Sequence, residues 1–447
     1  MYKFEKKHNN HQVSFLQKTC WKYSFYFIFA KITYSIMSLL IRNIRVLIGI
    51  HPLSISRLHG AEMANLPTIE NAFLLIENQR ITQFGAMTNC PERADNIIDA
   101  TDRIVLPAWC DSHTHLVFAA TREEEFEMRI QGIPYEDIAA RGGGILNSAR
   151  RLQAMPEDEL FERSLLRLDE ARHLGTGCLE IKSGYGLTVE SELKMLRVIR
   201  RLKAVSDVEI KASFLGAHAV PTEYKDNRSA YISLIINEML PKIAGEGLAD
   251  YIDVFCEKIA FSSDETDRIL TAAARFGLKP KIHTNQFNSM GGIETAVRHN
   301  AVSVDHLEVL NDAEISILKN SNTIATLLPT APFFLNDAHT PPARKLIDAG
   351  ATVALATDFN PGTTPSVSMP IVVSLACIRL RMTPNEAINA ATLNGAAALE
   401  MSNDFGSFAV GKMGNCIITK PVPSVAYLPY AFGSNWIENV VLKGKIQ

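Results

Sequence analysis

Short apolar runs alternate with amphipathic stretches through the middle of the chain, and this pattern predicts its architecture. Apolar runs at 104–110, 176–182, 209–217, 251–256, 281–285, 302–306, 323–328 and 352–357 have strand length. The segments between them carry helical periodicity, as at 157–174, where Phe161, Leu165, Leu168 and Ala171 recur at three- and four-residue spacing. The final helix should begin at Thr383-Pro384-Asn385-Glu386, a capping box with proline at the first helical position. Strands alternating with helices predict a parallel sheet, and eight of them predict a (β/α)₈ barrel over 101–404. An open doubly wound sheet is the alternative, but no G-x-G-x-x-G opens any of these helices.

The two ends have a different texture. Residues 72–85 are two apolar runs about a polar Glu-Asn-Gln turn, a hairpin pattern. Residues 416–418 and 439–442 are further strand-like runs, the latter followed by Lys-Gly-Lys. Together, 37–100 and 405–447 predict one small β-sandwich domain built from both chain ends. Residues 1–36 fit neither pattern. Their aromatic run, Tyr23 to Phe29, is bounded by Lys18, Lys22 and Lys31, far short of the roughly 20 apolar residues of a membrane span. Ala30-Lys31-Ile32 is a poor signal-cleavage site. The expectation is a disordered extension or an upstream mis-start, with a peripheral membrane anchor less favoured.

Composition narrows the class. Of 447 residues, 47% are hydrophobic and 21% charged, enough apolar material for a large core, which excludes disorder as the main state. A net charge of -3 gives no reason to expect nucleic acid or an anionic membrane as partner. Seven cysteines, odd in number and without a C-x-x-C, suit reduced thiols in a cytoplasmic protein and offer no cysteine-based metal site.

In a barrel the chemistry sits where strands end at the C-terminal face. The first strand runs into Asp111-Ser112-His113-Thr114-His115, the fifth ends at His283, the sixth at Asp305-His306 and the eighth at Thr357-Asp358. His113 and His115, at i and i+2, point to the same side of an extended chain. Taken alone, a His-x-His is more often a surface strand. Joined by His283 and Asp358 at matching strand ends, it makes a set of three nitrogens and one oxygen that suits zinc or iron better than magnesium or calcium.

The His-x-His of strand 1, the histidines of strands 5 and 6 and the aspartate of strand 8 resemble the amidohydrolase superfamily. The blocks His113 to Phe118, Glu125 to Arg129, Gly142 to Ile145, Glu180 to Leu187 and Thr357 to Gly362 are similar to the imidazolonepropionase family, from about Met37 to the C-terminus. That resemblance implies metal-dependent hydrolysis of 4-imidazolone-5-propanoate to N-formimidoyl-L-glutamate, the third step of histidine degradation. It implies one zinc or iron ion per subunit, held by His113, His115, His283 and Asp358, and a homodimer.

It also implies roles for single residues. Asp358 takes a proton from water and passes it to the departing ring nitrogen, and His306 orients the water or the developing oxyanion. A fifth metal ligand or a structural histidine is the alternative for His306. Arg122 would bind the propionate of the small-molecule substrate. Tyr185, His218, Asn360, Gly362 and Thr363 correspond to substrate or product contacts, with His218 poised near the carbonyl. Gln286 stands where relatives carry Glu or Gln; an amide cannot accept a proton, which shifts base duty toward Asp358.

Other features are discounted. Gly142-Gly143-Gly144 lacks the Gly-Lys-Ser/Thr ending of a phosphate loop and reads as a lid or substrate loop. Lys182 could stand for the carboxylated lysine of two-metal relatives, but it falls on strand 2. Strand 4 ends at Cys256-Glu257, so a second, bridged metal is disfavoured. His51, His59, His173, His299 and His339 have no ligand spacing. The lead-in Leu106-Pro107-Ala108-Trp109-Cys110-Asp111-Ser112 departs from the family pattern, as does Lys412 to Cys416. Two rival functions are a purine- or pyrimidine-type deaminase of the same superfamily, which usually needs glutamate where Gln286 stands, and a non-catalytic barrel scaffold, which would usually have lost ligands.

Overall fold

The computed structural model describes residues 38–133 and 143–447. The extension expected over 1–36, and Gly142 of the glycine loop, lie outside the described residues. The chain opens with β1 (Ser38–Ile48), β2 (Thr68–Glu77), β3 (Arg80–Ala86), β4 (Asn96–Asp99) and β5 (Ile104–Pro107). The β2–β3 hairpin turns at Asn78 and Gln79, both with positive φ (50° and 71°), the twist that a two-residue hairpin requires.

The eight strands β6 (Trp109–Asp111), β7 (Thr176–Lys182), β8 (Glu209–Ala217), β9 (Tyr251–Cys256), β10 (Lys279–Thr284), β11 (Ser303–His306), β12 (Ile324–Leu327) and β13 (Val353–Leu355) pair in parallel, in chain order. Residues just past the strands join the first to the eighth. Thr357 donates from its amide (3.0 Å) and hydroxyl (2.7 Å) to Asp111, Asp358 N donates to His113 O (3.0 Å), and His115 N donates to Phe359 O (2.8 Å). Burial pushes the Asp111 carboxyl up to about 7, against the Thr357 hydrogen bonds. The barrel thus closes at the place where its histidines emerge.

The run 104–110, expected as one barrel strand, is two. Ile104–Pro107 belongs to the outer sheet, parallel to β1 and antiparallel to β14 (Cys416–Thr419), and only Trp109–Asp111 enters the barrel. A proline cannot donate to a ladder, so Pro107 ends one strand and Ala108 is the hinge to the next. The outer sheet is completed by β15 (Ile437–Leu442) and β16 (Lys445–Ile446), in the order β16-β15-β14-β5-β1-β2-β3 with β4 beside β1. Side chains from both chain ends share its core: Leu39, Ile41 and Leu74 pack with Phe408, Ile418 and Val441.

The helices form where caps and periodicity place them. Glu157–His173 buries Leu160, Ser164, Leu168 and Ala171. Truncating Leu168, 1% exposed, to alanine would cost about 2–5 kcal/mol. Pro384–Ala391 starts on the Thr383–Glu386 capping box. The first two barrel strands also bring the thiols of Cys110 and Cys178 to 2.9 Å, a pairing that their 68-residue separation conceals.

Candidate metal centre and active-site cavity

Three barrel strands end in backbone that side chains rarely adopt. Asn285 after β10, His306 and Leu307 at the end of β11, and Asp358 after β13 have φ of 57°, 89°, 70° and 56°. Such strain persists only where surrounding contacts over-determine it, and here it lies around one point.

Around that point the structure gathers the expected residues. His115 Nε2 lies 3.2 Å from His283 Nε2, and Asp358 Oδ1 lies 3.5 Å from His113 Nε2 and 3.7 Å from His115 Nε2. Ligand bonds of 2.0–2.2 Å in a tetrahedron separate the donor atoms by about 3.3–3.6 Å. Those three spacings suit one transition-metal ion; His113, His115 and Asp358 form one compact triple of donors, and His283 joins it through His115. Two further observations agree. His113 Nε2 is buried without a hydrogen bond. Burial, assisted by Lys182 for His113 and by His218 for His115, holds both imidazoles well below the ordinary histidine range, so they are neutral and offer lone pairs.

Carboxylates behind the rings fix their orientation. Asp305 Oδ2 is hydrogen-bonded to His113 Nδ1 at 2.7 Å, which leaves that Nε2 for the centre, while Asp253 Oδ2 faces His283 Nδ1 at 3.0 Å as an ion-pair contact outside hydrogen-bond alignment. His306 differs from the other three. Burial lowers its pKa, but Glu308, 3.5 Å from Nδ1, outweighs that together with Asp358 and Asp305 and brings it up to about 9. It is close enough to His113 and His283 to form a second possible ligand triple. Asp358 is raised by burial, partly offset by His306 and His283.

His115, His283, His306 and Asp358 line a cavity of about 710 Å³ whose wall includes every expected substrate residue: Arg122, Tyr185, His218, Gln286, Asn360, Gly362 and Thr363. The His218 ring stacks on His115 (centroids 5.2 Å, planes 17° apart), and its Nδ1 meets Gly184 O at 3.1 Å. Burial, with His283 adding to it, lowers His218 to about 3. Tyr185 lies 5.9 Å from His115, centroid to centroid, and burial raises its hydroxyl pKa. Its loop is clamped by Glu192, whose carboxylate accepts from the amides of Gly184 (3.1 Å), Gly186 (2.8 Å) and Leu187 (2.9 Å). Asn360 builds the loop after Asp358: its Oδ1 accepts from Gly362 N (2.8 Å) and Thr363 N (2.7 Å), and its Nδ2 donates to Asp358 O (2.7 Å).

Arg122 is paired with Glu125 at 2.5 Å, and Glu125 in turn accepts from Gly144 N at 2.9 Å. Arg129 lines the same wall, over the Phe334 ring at 5.1 Å, with Nη2 3.3 Å from Gly362 O. Sequence reading gave Arg129 no role, although it stands seven residues, about two turns, beyond Arg122, the N-cap of the helix Glu123–Ile130. It passed over Asp253, and it placed Asp305 at the end of the sixth strand without giving it a role; the signal for each was a charged residue inside an otherwise apolar strand. Glu257 accepts from Phe287 N (3.0 Å) and Asn288 N (3.2 Å), an engagement with backbone rather than with the histidine cluster. The discounted histidines have local partners, as in His51–Asn389 (3.2 Å) and His299–Asp267 (2.9 Å).

With this geometry in view, the comparisons agree. The amidohydrolase family profile matches residues 104–447. Proteins named imidazolonepropionase from Christiangramia forsetii and Flavobacterium johnsoniae are each 57% identical over 411 residues, 92% of this chain and 100% of theirs. One from Clostridium tetani is 43% identical over 391 residues, 87% of this chain and 93% of its own. Among solved structures, Escherichia coli guanine deaminase has a TM-score of 0.70 at 15% identity, covering 92% of this chain and 98% of its own. A Xanthomonas campestris adenosine deaminase with bound zinc has 0.65 at 16%, covering 92% of each. At such identities these two share the fold.

Proposed function

The chain belongs to the amidohydrolase family, among its imidazolonepropionases, and from that membership we propose how its residues carry out the hydrolysis of 4-imidazolone-5-propanoate to N-formimidoyl-L-glutamate. The observation that carries the reading is a chain of donor contacts, His283 to His115 at 3.2 Å and Asp358 to His113 and His115 at 3.5 and 3.7 Å, with His115, His283 and Asp358 lining a cavity walled by an arginine. His113, His115, His283 and Asp358 would hold one zinc or iron ion, which when bound would polarise a carbonyl and lower the pKa of water from 15.7 toward about 7.

The side chains supply the rest. Arg122 takes the propionate, and Tyr185, Asn360, Gly362 and Thr363 shape the cavity around it. The water oxygen bonds to the ring carbonyl carbon and the adjacent carbon–nitrogen bond breaks. Asp358 accepts the water's proton and returns it to the leaving ring nitrogen. Burial, which raises its pKa, favours that exchange. His306, kept protonated by Glu308, donates to the oxygen that gains charge, and His218 lies beside the same carbonyl. Gln286 hydrogen-bonds the substrate and carries no proton, an arrangement that supports ring opening over deamination.

A homodimer in the cytoplasm completes the proposal. Among the described residues no helix is long and apolar enough to cross a membrane. The test is a coupled assay in which urocanase converts urocanate to the imidazolone. The purified, metal-loaded protein should speed the decay of the imidazolone absorbance, and decay at the spontaneous rate would reject the activity.

A further inference from the structure

A group of charged side chains, all fully buried, lies inside the barrel beneath the histidines. At its centre is Lys182, the last residue of β7. Its Nζ stands 2.7 Å from Glu180 Oε1, 2.6 Å from Asp253 Oδ2 and 3.6 Å from Asp305 Oδ2. The two aspartate oxygens are the same atoms that face the imidazoles, at 3.0 Å from His283 Nδ1 and 2.7 Å from His113 Nδ1. One ammonium is therefore shared by two carboxylate–imidazole pairs that reach the site from opposite parts of the barrel.

Each aspartate's second oxygen is also occupied. Asp253 Oδ1 accepts from His283 N (3.2 Å), and Asp305 Oδ1 accepts from Ser303 Oγ (2.6 Å). Burial disfavours charge on Lys182, but Asp253, Glu180 and Asp305 outweigh it and hold the ammonium above the ordinary lysine range. Burying a lysine this deeply is costly, and removing it would take the nearby ammonium from Asp253 and Asp305, while Glu180 would keep Lys281 at 2.5 Å.

We propose that Lys182 is a positioning residue for the metal centre: by holding Asp253 Oδ2 and Asp305 Oδ2 it keeps His283 and His113 as Nδ1–H tautomers with both Nε2 lone pairs aimed at one point. This rests on the metal-site reading above. A carboxylate behind a ligating histidine is ordinarily worth 10–100-fold in metal affinity. Here a single cation governs two such pairs.

The sign of the effect separates positioning from simple charge. A cation beside a metal site repels the metal, so a lysine acting only through charge should, on replacement, leave zinc bound more tightly. Positioning predicts the reverse.

The experiment uses the full-length protein loaded with zinc(II), and in parallel with cobalt(II), comparing wild type with Lys182→Met. Chelator competition should show zinc binding weakened about 10–100-fold. The cobalt absorption bands should shift, and ring-nitrogen NMR should show His113 and His283 losing their uniform Nδ1–H state. Unchanged or tighter zinc binding, with an unchanged cobalt spectrum and tautomers, overturns the proposal.

Wild-type protein that takes up no zinc would instead reject the metal-site reading itself, so the two failures are distinguishable. If Lys182→Met does not fold, Lys182→Gln, which keeps two hydrogen-bond donors without the charge, takes its place. If neither folds, Lys182 is a determinant of the barrel rather than of the metal centre, and the proposal falls.

Discussion

Replacing Arg122 with methionine tests whether the cavity wall reads the substrate's carboxylate. The guanidinium and its Glu125 partner are only 16% and 12% exposed, so hydrogen bonds there are little weakened by water. Nη2 is held by Glu125 at 2.5 Å, and the guanidinium lines the cavity where the propionate would lie. A hydrogen bond to a charged group contributes about 1.5–3 kcal/mol. Losing two at the low end costs about 3 kcal/mol, and 1.4 kcal/mol is tenfold. The KM of Arg122→Met should therefore rise about 100-fold in the urocanase-coupled assay. The carboxylate is remote from the breaking bond and is bound alike before and during reaction, so kcat should hold. Glu125→Gln is the control, because it removes the internal counter-charge but keeps an oxygen for Gly144 N. It should raise KM far less. An unchanged KM for Arg122→Met would refute carboxylate binding. Equal losses in the two variants would also refute it, by showing that Arg122 acts only through Glu125 and the Gly144 backbone.

Three other substitutions probe the site. His283→Ala should release most of the metal, and full metal content by elemental analysis would exclude it as a ligand. Asp358→Asn should lower kcat by on the order of 10²–10⁴, the range of general acid–base catalysis, and a wild-type kcat would remove it as proton carrier. Gly362→Ala would place a methyl group against the Arg122 guanidinium and within 3.4 Å of Asn360 Oδ1. Overpacking of this kind costs about 1–3 kcal/mol, so KM should rise about tenfold, and an unchanged KM would show that the guanidinium can step aside.

Much of the site could be read from local pattern. A strand presents alternate residues to one side, and a parallel barrel collects its strand ends on one face, so His113, His115, His283, His306 and Asp358 could be brought together before any coordinates. The helix at Pro384–Ala391 was legible for a similar reason, since its cap lies within four consecutive residues. Where two structures competed for one run of residues, local pattern failed. Ile104 to Cys110 is uniformly apolar, and nothing in it shows that Val105 would pair with Ile418 while Cys110 pairs with Cys178.

What the chain determined by itself is the repeating strand–helix order and the identity of the donor atoms, because periodicity and side-chain chemistry are properties of neighbours in sequence. What only the tertiary structure decided is how those donors are held. Glu180 and Lys182 are two residues apart, yet their meaning depends on Asp253, Asp305 and Lys281, brought against them by three other strands. Arg122 has a local partner in Glu125, but only the fold sets the pair beside Gly144 and Gly362, and only the fold sets Tyr185 beside His218. Burial gives these contacts their strength, since a charge pair at a few ångströms is weak in water and strong inside a closed barrel. Burial is settled only when the first and eighth strands meet.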